Sequence, residues 1–134
     1  LLLMFALDTN TVIHFLKEGG RVLAHLARVP RSQVAIPSTV VYELEVGTLR
    51  LTNGDARRAR INVLLRTVTI LPLGREEAEA AARVHAGLEA RGQIIGPRDT
   101  LIAGTCLAAN ATLVTRNTRE FARVPGLKVV SWYE

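Results

Sequence analysis

Five acidic positions stand where their spacing could do chemistry. Asp8 follows an apolar run directly, and Asp99 follows Gly96-Pro97-Arg98. Glu43 and Glu45 lie inside an aliphatic helical pattern, and Glu120 comes three residues after Asn117. Each has an ordinary structural explanation. Asp8-Thr9-Asn10 is good helix-capping chemistry, and Asn117 with Glu120 has the form of a capping box. Asp99 in a first helical turn is favoured by the helix dipole, by about 0.3–1 kcal/mol. Yet its neighbours at helical spacing, Ile102, Ala103 and Cys106, form an apolar stripe, and a charge on such a stripe needs a cation or several hydrogen bonds. Glu43 shares a face with Thr39, Val40, Val46 and Gly47. An internal helical glycine costs about 1 kcal/mol relative to alanine, so Gly47 suggests close approach of a backbone or substrate on that face. This favours Glu43 over Glu45 as the inward acid, although periodicity does not decide between them. If these acids converge, their repulsion requires a bound proton or a cation. Oxygen-only ligands suit Mg²⁺ or Mn²⁺ better than zinc. Such a centre can activate water and stabilise a phosphodiester transition state.

The elements that must position these residues alternate between strand and helix. Residues 2–7 are continuously apolar, as a strand buried on both faces should be. Helices are expected over Thr11–Lys17 and Arg21–Arg28, broken by Gly19-Gly20. Val34–Ile36 reads as a strand closed by Pro37, with Ser38 as N-cap of a helix from Thr39 to about Leu51. Asn53-Gly54-Asp55 is a turn before another helix, and Val68–Leu71 is a strand. Arg75–Ala90 and Arg98–Asn110 read as helices, Thr112–Thr115 and Lys128–Ser131 as strands. This order predicts a single α/β domain over 1–134, with a mainly parallel central sheet of four to five strands, flanking helices and right-handed crossovers. Ligands in such folds sit beyond the carboxyl ends of the strands, which is where Asp8, Asp99 and Glu120 fall. Glu43 falls one turn into the helix after the second strand.

Bulk properties narrow the class. A chain of 134 residues can bury a core without disulfides. The single cysteine, Cys106, excludes an intrachain disulfide and a cysteine zinc site. No apolar run approaches the roughly 18 residues of a membrane span, and the leading leucines read as strand, not signal peptide; a cytoplasmic location is expected. The net charge of +5 suggests a polyanionic partner. All cationic residues but Lys17 and Lys128 are arginine, which suits bidentate phosphate contacts, though a GC-rich genome would also favour arginine. His14, His25 and His85 share no metal spacing and read as packing or surface residues. Arg57, Arg58 and Arg60 read as a solvated face. With 4% aromatic residues no stacking platform for single-stranded RNA is expected.

The ordered set of Leu7-Asp8-Thr9-Asn10, Glu43-Leu44 with Gly47, Ile95-Gly96-Pro97-Arg98-Asp99 with Ile102-Ala103, and Leu113-Val114-Thr115-Arg116-Asn117-Thr118-Arg119-Glu120-Phe121 resembles the PIN-domain nucleases, in particular the VapC-type toxins of bacterial toxin–antitoxin modules. The resemblance runs from about Met4 to Trp132. It implies a three-layer PIN-like fold and metal-dependent hydrolysis of structured RNA, commonly tRNA or ribosomal RNA. It implies Asp8, Glu43 and Asp99 as the metal-binding and catalytic acids. Relatives often carry aspartate where this chain has Asn117; Glu120 is expected to supply that charge. Thr9, Asn10, Thr115 and Asn117 are expected in support, and Arg98 and Arg116 as phosphate contacts. The implied partners are RNA, a cognate VapB-type antitoxin and a second copy of the chain. Two alternatives stand beside this reading. A haloacid-dehalogenase-type phosphatase would need a second aspartate where Asn10 stands, and a non-catalytic RNA- or protein-binding PIN domain would be favoured by loss of a core acid.

Overall fold

A computed structural model describes residues 3–17 and 19–134. Five strands, β1 (Phe5–Leu7), β2 (Val34–Pro37), β3 (Thr69–Leu71), β4 (Thr112–Val114) and β5 (Lys128–Val130), form one sheet in the order β3-β2-β1-β4-β5. Every pairing is parallel. Between them run α1 (Thr9–Lys17), α2 (Gly20–Arg28), α3 (Ser38–Leu49), α4 (Asp55–Thr67), α5 (Arg75–Ala90), α6 (Pro97–Ala108) and the short α7 (Thr118–Phe121). The connections β1→β2→β3 travel one way across the sheet and β3→β4→β5 the other. Right-handed crossovers therefore send α1–α4 and α5–α7 to opposite faces. Burial follows: Ala6, Leu7, Val34, Ala35, Ile36, Leu113 and Val114 are fully buried in a sheet covered on both sides.

The first strand is shorter than its apolar run. The expected strand start at Leu2 lies outside the described residues. Within them, β1 opens only at Phe5, because its partners β2 and β4 begin opposite Phe5, at Val34 and Thr112. Ser38 is not the N-cap of α3. Pro37 ends β2 and holds that position, Ser38 is already helical, and no side chain caps the helix. Nor does any side chain within the fold approach Gly47, since a Cβ there would meet nothing within 4 Å. The glycine that does mark a close approach is Gly104 on α6. A Cβ there would lie 2.6 Å from the Cβ of Ala81 on α5, and closer still to that residue's backbone nitrogen and Cα. That tight crossing seats α6, and with it Asp99, against the rest of the fold.

Candidate active site

The sheet order reverses at β1, whose flanking neighbours are β2 and β4. That is the switch point where α/β sheets open a crevice beyond the strand ends. The parallel register sets Leu7 beside Val114, so the next residues, Asp8 and Thr115, emerge side by side. The Thr115 hydroxyl donates to Asp8 Oδ2 at 2.5 Å, and it accepts from the Asn117 backbone N–H at 3.0 Å. Having one hydrogen, already committed to Asp8, Thr115 becomes an oriented link in a chain from Asn117 to the carboxylate. The other oxygen of Asp8 accepts the Thr11 backbone N–H at 2.9 Å, so Asp8 also caps α1. The residue is only 9% exposed.

Glu43 faces the same crevice. Its Oε1 accepts the Thr9 hydroxyl at 2.6 Å, and Arg98 Nη1 lies 3.7 Å from its Oε2. Glu45 points elsewhere, into an exposed pair with Arg58 at 2.5 Å. From α7, Glu120 accepts the Asn117 side-chain amide at 3.0 Å. This is not the capping box that the spacing allows: the Asn117 N–H goes to Thr115, and no side chain caps α7. Asn10 stays exposed on α1 and bonds to none of the carboxylates among the described residues.

Asp99 reveals how these groups sit together. Burial, then the charges of Glu120, Glu43 and Asp8, and a hydrogen bond shared with Glu120 push its carboxyl up to about 6. Its helical neighbours Ile102, Ala103 and Cys106 are buried, so the aspartate does cap an apolar stripe. The Cys106 thiol beneath is pushed up to about 12, chiefly by burial and further by Asp8. It is an inert core group.

The donor set, carboxylate oxygens with hydroxyl and amide neighbours, fits a hard divalent cation. Burial raises the Asp99 carboxyl first and the neighbouring acids raise it further, and a cation would offset the second of these effects. Among the described residues no three acidic, histidine or cysteine side chains stand together closely enough to hold a metal ion. Asp8, Glu43 and Glu120 each accept from a local donor instead.

The two arginines are placed by aromatic rings. Arg98 lies over Tyr42, its guanidinium carbon 5.9 Å from the ring centre, and Arg116 over Tyr133 at 4.6 Å. Neither tyrosine stands out in the sequence, because no local pattern tells which ring a distant arginine will meet. The histidines pack or pair as expected: His14 against Tyr133, His25 stacked on Trp132, and His85 3.5 Å from Glu89.

Comparison with known proteins agrees with this geometry. Residues 5–127 match the PIN domain family. Ribonuclease VapC2 of Rickettsia felis is 30% identical, over 97% of this chain and 98% of its own length. The tRNA(fMet)-specific endonuclease VapC of Salmonella typhimurium is 28% identical, over 98% of this chain and 99% of its own. A crystal structure of DNA-bound VapBC from Salmonella typhimurium superposes with a TM-score of 0.91 at 28% identity, covering 98% of this chain and 99% of that one. These likenesses leave no ground for the dehalogenase-type phosphatase. An aspartate at a parallel-sheet switch point, held beside acids from three further elements, belongs here to a PIN domain, and the chain is a member of the VapC ribonuclease family.

Proposed function

We propose that this chain is an endoribonuclease dependent on Mg²⁺ or Mn²⁺, the toxin of a toxin–antitoxin pair, with structured RNA such as tRNA as its substrate. The observation that carries the reading is the set of acids at the carboxyl end of the sheet, Asp8 held by Thr115 and the Thr11 N–H, Glu43 by Thr9 and Glu120 by Asn117, with the Asp99 carboxyl raised to about 6 by burial and by the other three. In this reading Asp8, Glu43, Asp99 and Glu120 hold the metal. Thr115 and Thr9 fix the orientation of Asp8 and Glu43, Asn117 holds Glu120, and Arg98 and Arg116 neutralise phosphates. Asn10 has the weakest support, being exposed and unattached to the carboxylates. When bound, divalent metal supplies an activated water nucleophile and charge stabilisation at phosphorus. The protein's own part is to keep the acids ionised and aimed, and to seat the RNA backbone.

The names of the relatives support the rest: a tRNA(fMet)-specific endonuclease, and toxin partners crystallised as VapBC assemblies. A VapB-type antitoxin, a homodimer and a cytoplasmic setting follow in the same proposal. No helix among the described residues is long and apolar enough to cross a membrane. The test is cleavage of purified tRNA and ribosomal RNA with Mg²⁺, Mn²⁺ or excess chelator, with the new ends identified. Products bearing a 5′-phosphate and a 3′-hydroxyl, lost in chelator, are expected of a water nucleophile. Cyclic 2′,3′-phosphate ends or full activity in chelator would overturn the mechanism.

A further inference from the structure

Beside the carboxylates lies a pocket of about 240 Å³ lined by Ser38, Thr39, Tyr42, Leu73, Arg98 and Leu101. It is joined to the site through two residues. Tyr42 precedes Glu43, and Arg98 both precedes Asp99 and reaches within 3.7 Å of Glu43. Tyr42 is 57% exposed, which leaves its ring open to a binding partner. At 5.9 Å from the ring centre Arg98 stands near the outer limit of a cation–π contact, leaving room at the aromatic face. Leu73 and Leu101 supply apolar walls. Thr39 is only 7% exposed, and its hydroxyl oxygen has no hydrogen-bond partner. An unmet buried hydroxyl calls for a partner. Helical threonine has two accessible χ1 rotamers, so this one can turn to serve a polar edge brought into the pocket.

We propose that Tyr42 and Arg98, with Thr39 behind them, form a nucleobase subsite that stacks the unpaired base next to the scissile phosphate. The chemistry matches: an open aromatic face, a guanidinium that neutralises the adjoining phosphate, and a hydroxyl for a base edge. Base–aromatic stacking tolerates any base, so this subsite selects for an unpaired nucleotide and not for a sequence. The proposal departs from the expectation that the chain offers no stacking platform. Few aromatics suffice when one stands next to the carboxylates.

This proposal rests on the ribonuclease reading, and its test separates the two. Wild type, Tyr42→Phe and Tyr42→Ala are compared in steady-state cleavage of tRNA. The same Tyr42 variants, built on Asp8→Asn so that RNA stays intact, are titrated against a single-stranded oligoribonucleotide carrying 2-aminopurine, with light scattering to follow assembly mass. Tyr42→Ala should raise KM and weaken oligonucleotide binding roughly 10- to 100-fold, with kcat little changed. It should also lose the 2-aminopurine quenching, and Tyr42→Phe should behave as wild type. A ribose-phosphate oligomer abasic at every position should bind the parent protein and its Tyr42→Ala variant alike. Unchanged KM and binding in Tyr42→Ala would overturn the subsite while leaving the ribonuclease intact. A loss that tracks a change in assembly mass would also overturn it, assigning Tyr42 to a protein contact. Absence of cleavage by wild type would remove the underlying reading, and the subsite with it.

Discussion

At the scale of single residues, two side chains govern the site's chemistry through protons. Asp99 holds its proton up to about pH 6 against an ordinary value of 3.8. The folded, metal-free protein therefore binds this proton more tightly than the unfolded chain does. Its contribution to stability is complete below the unfolded value and is lost as pH rises through about 6. Melting in chelator should show stability falling between about pH 4 and 6, and Asp99→Asn should flatten that fall while removing most cleavage. A purely structural Asp99 would give the opposite, a less stable but active variant. Thr115 acts by donation. Thr115→Val keeps shape but leaves Asp8 Oδ2 and the Asn117 N–H without their partner, at a cost of about 1–3 kcal/mol. It should lower metal affinity or activity about 10- to 100-fold, the range for partners that orient ligands. Thr115→Ser should restore both, as metal titrations of cleavage can check.

At the scale of elements, the α5–α6 crossing is the joint on which Asp99 depends. Gly104→Ala would press a methyl group into the Ala81 backbone, far inside van der Waals contact. Overpacking of this kind costs about 1–3 kcal/mol. Cleavage should fall with it as α6 shifts. Ala81→Gly should not rescue, since the closest atoms are backbone; chemical denaturation and cleavage of both variants test this. The crossing also marks a limit of sequence reading. Gly104 and Gly47 are both isolated helical glycines, yet only the first faces another backbone, and no local pattern separates them. Legibility is high wherever an acid directly follows a strand or opens a helix, because the parallel sheet puts those positions at one edge. Asp8, Asp99 and Glu120 are of that kind. Choosing Glu43 over Glu45 needs the structure, where Arg58 takes the outer acid. Ser38 misleads as a cap because the helix begins directly after Pro37. The capping-box spacing of Asn117 and Glu120 likewise conceals a side-chain pair.

At the scale of the whole molecule, the proposed metal centre gathers four acids in a chain of net charge +5, and cation binding there should register in the stability of the fold. A ligand that binds only the folded state adds stability by mass action, about 2.7 kcal/mol at a concentration of 100 Kd. The melting temperature should therefore rise with Mg²⁺ or Mn²⁺ and not with a monovalent salt of equal ionic strength. Glu120→Gln should shift that titration to higher metal, with the loss greatest at low concentration. Asn117→Asp should hold or lower it, by adding an anionic oxygen. A titration unchanged in Glu120→Gln would leave Asp8, Glu43 and Asp99 as the metal set.

The hydrogen bond between Thr115 and Asp8 spans 107 positions of the chain, and β1 cannot pair with β4 until that far segment exists. Contacts of such sequence separation close slowly, since a long loop must be ordered before any pairing compensates. During synthesis, then, the first acid of the site emerges early and waits through most of translation for the hydroxyl that aims it. A nascent or truncated chain ending before β4 carries Asp8, Glu43 and Asp99 without the strand that aligns Asp8. A chain truncated before Thr112 should accordingly leave RNA uncut, as a cleavage assay beside the full chain can check.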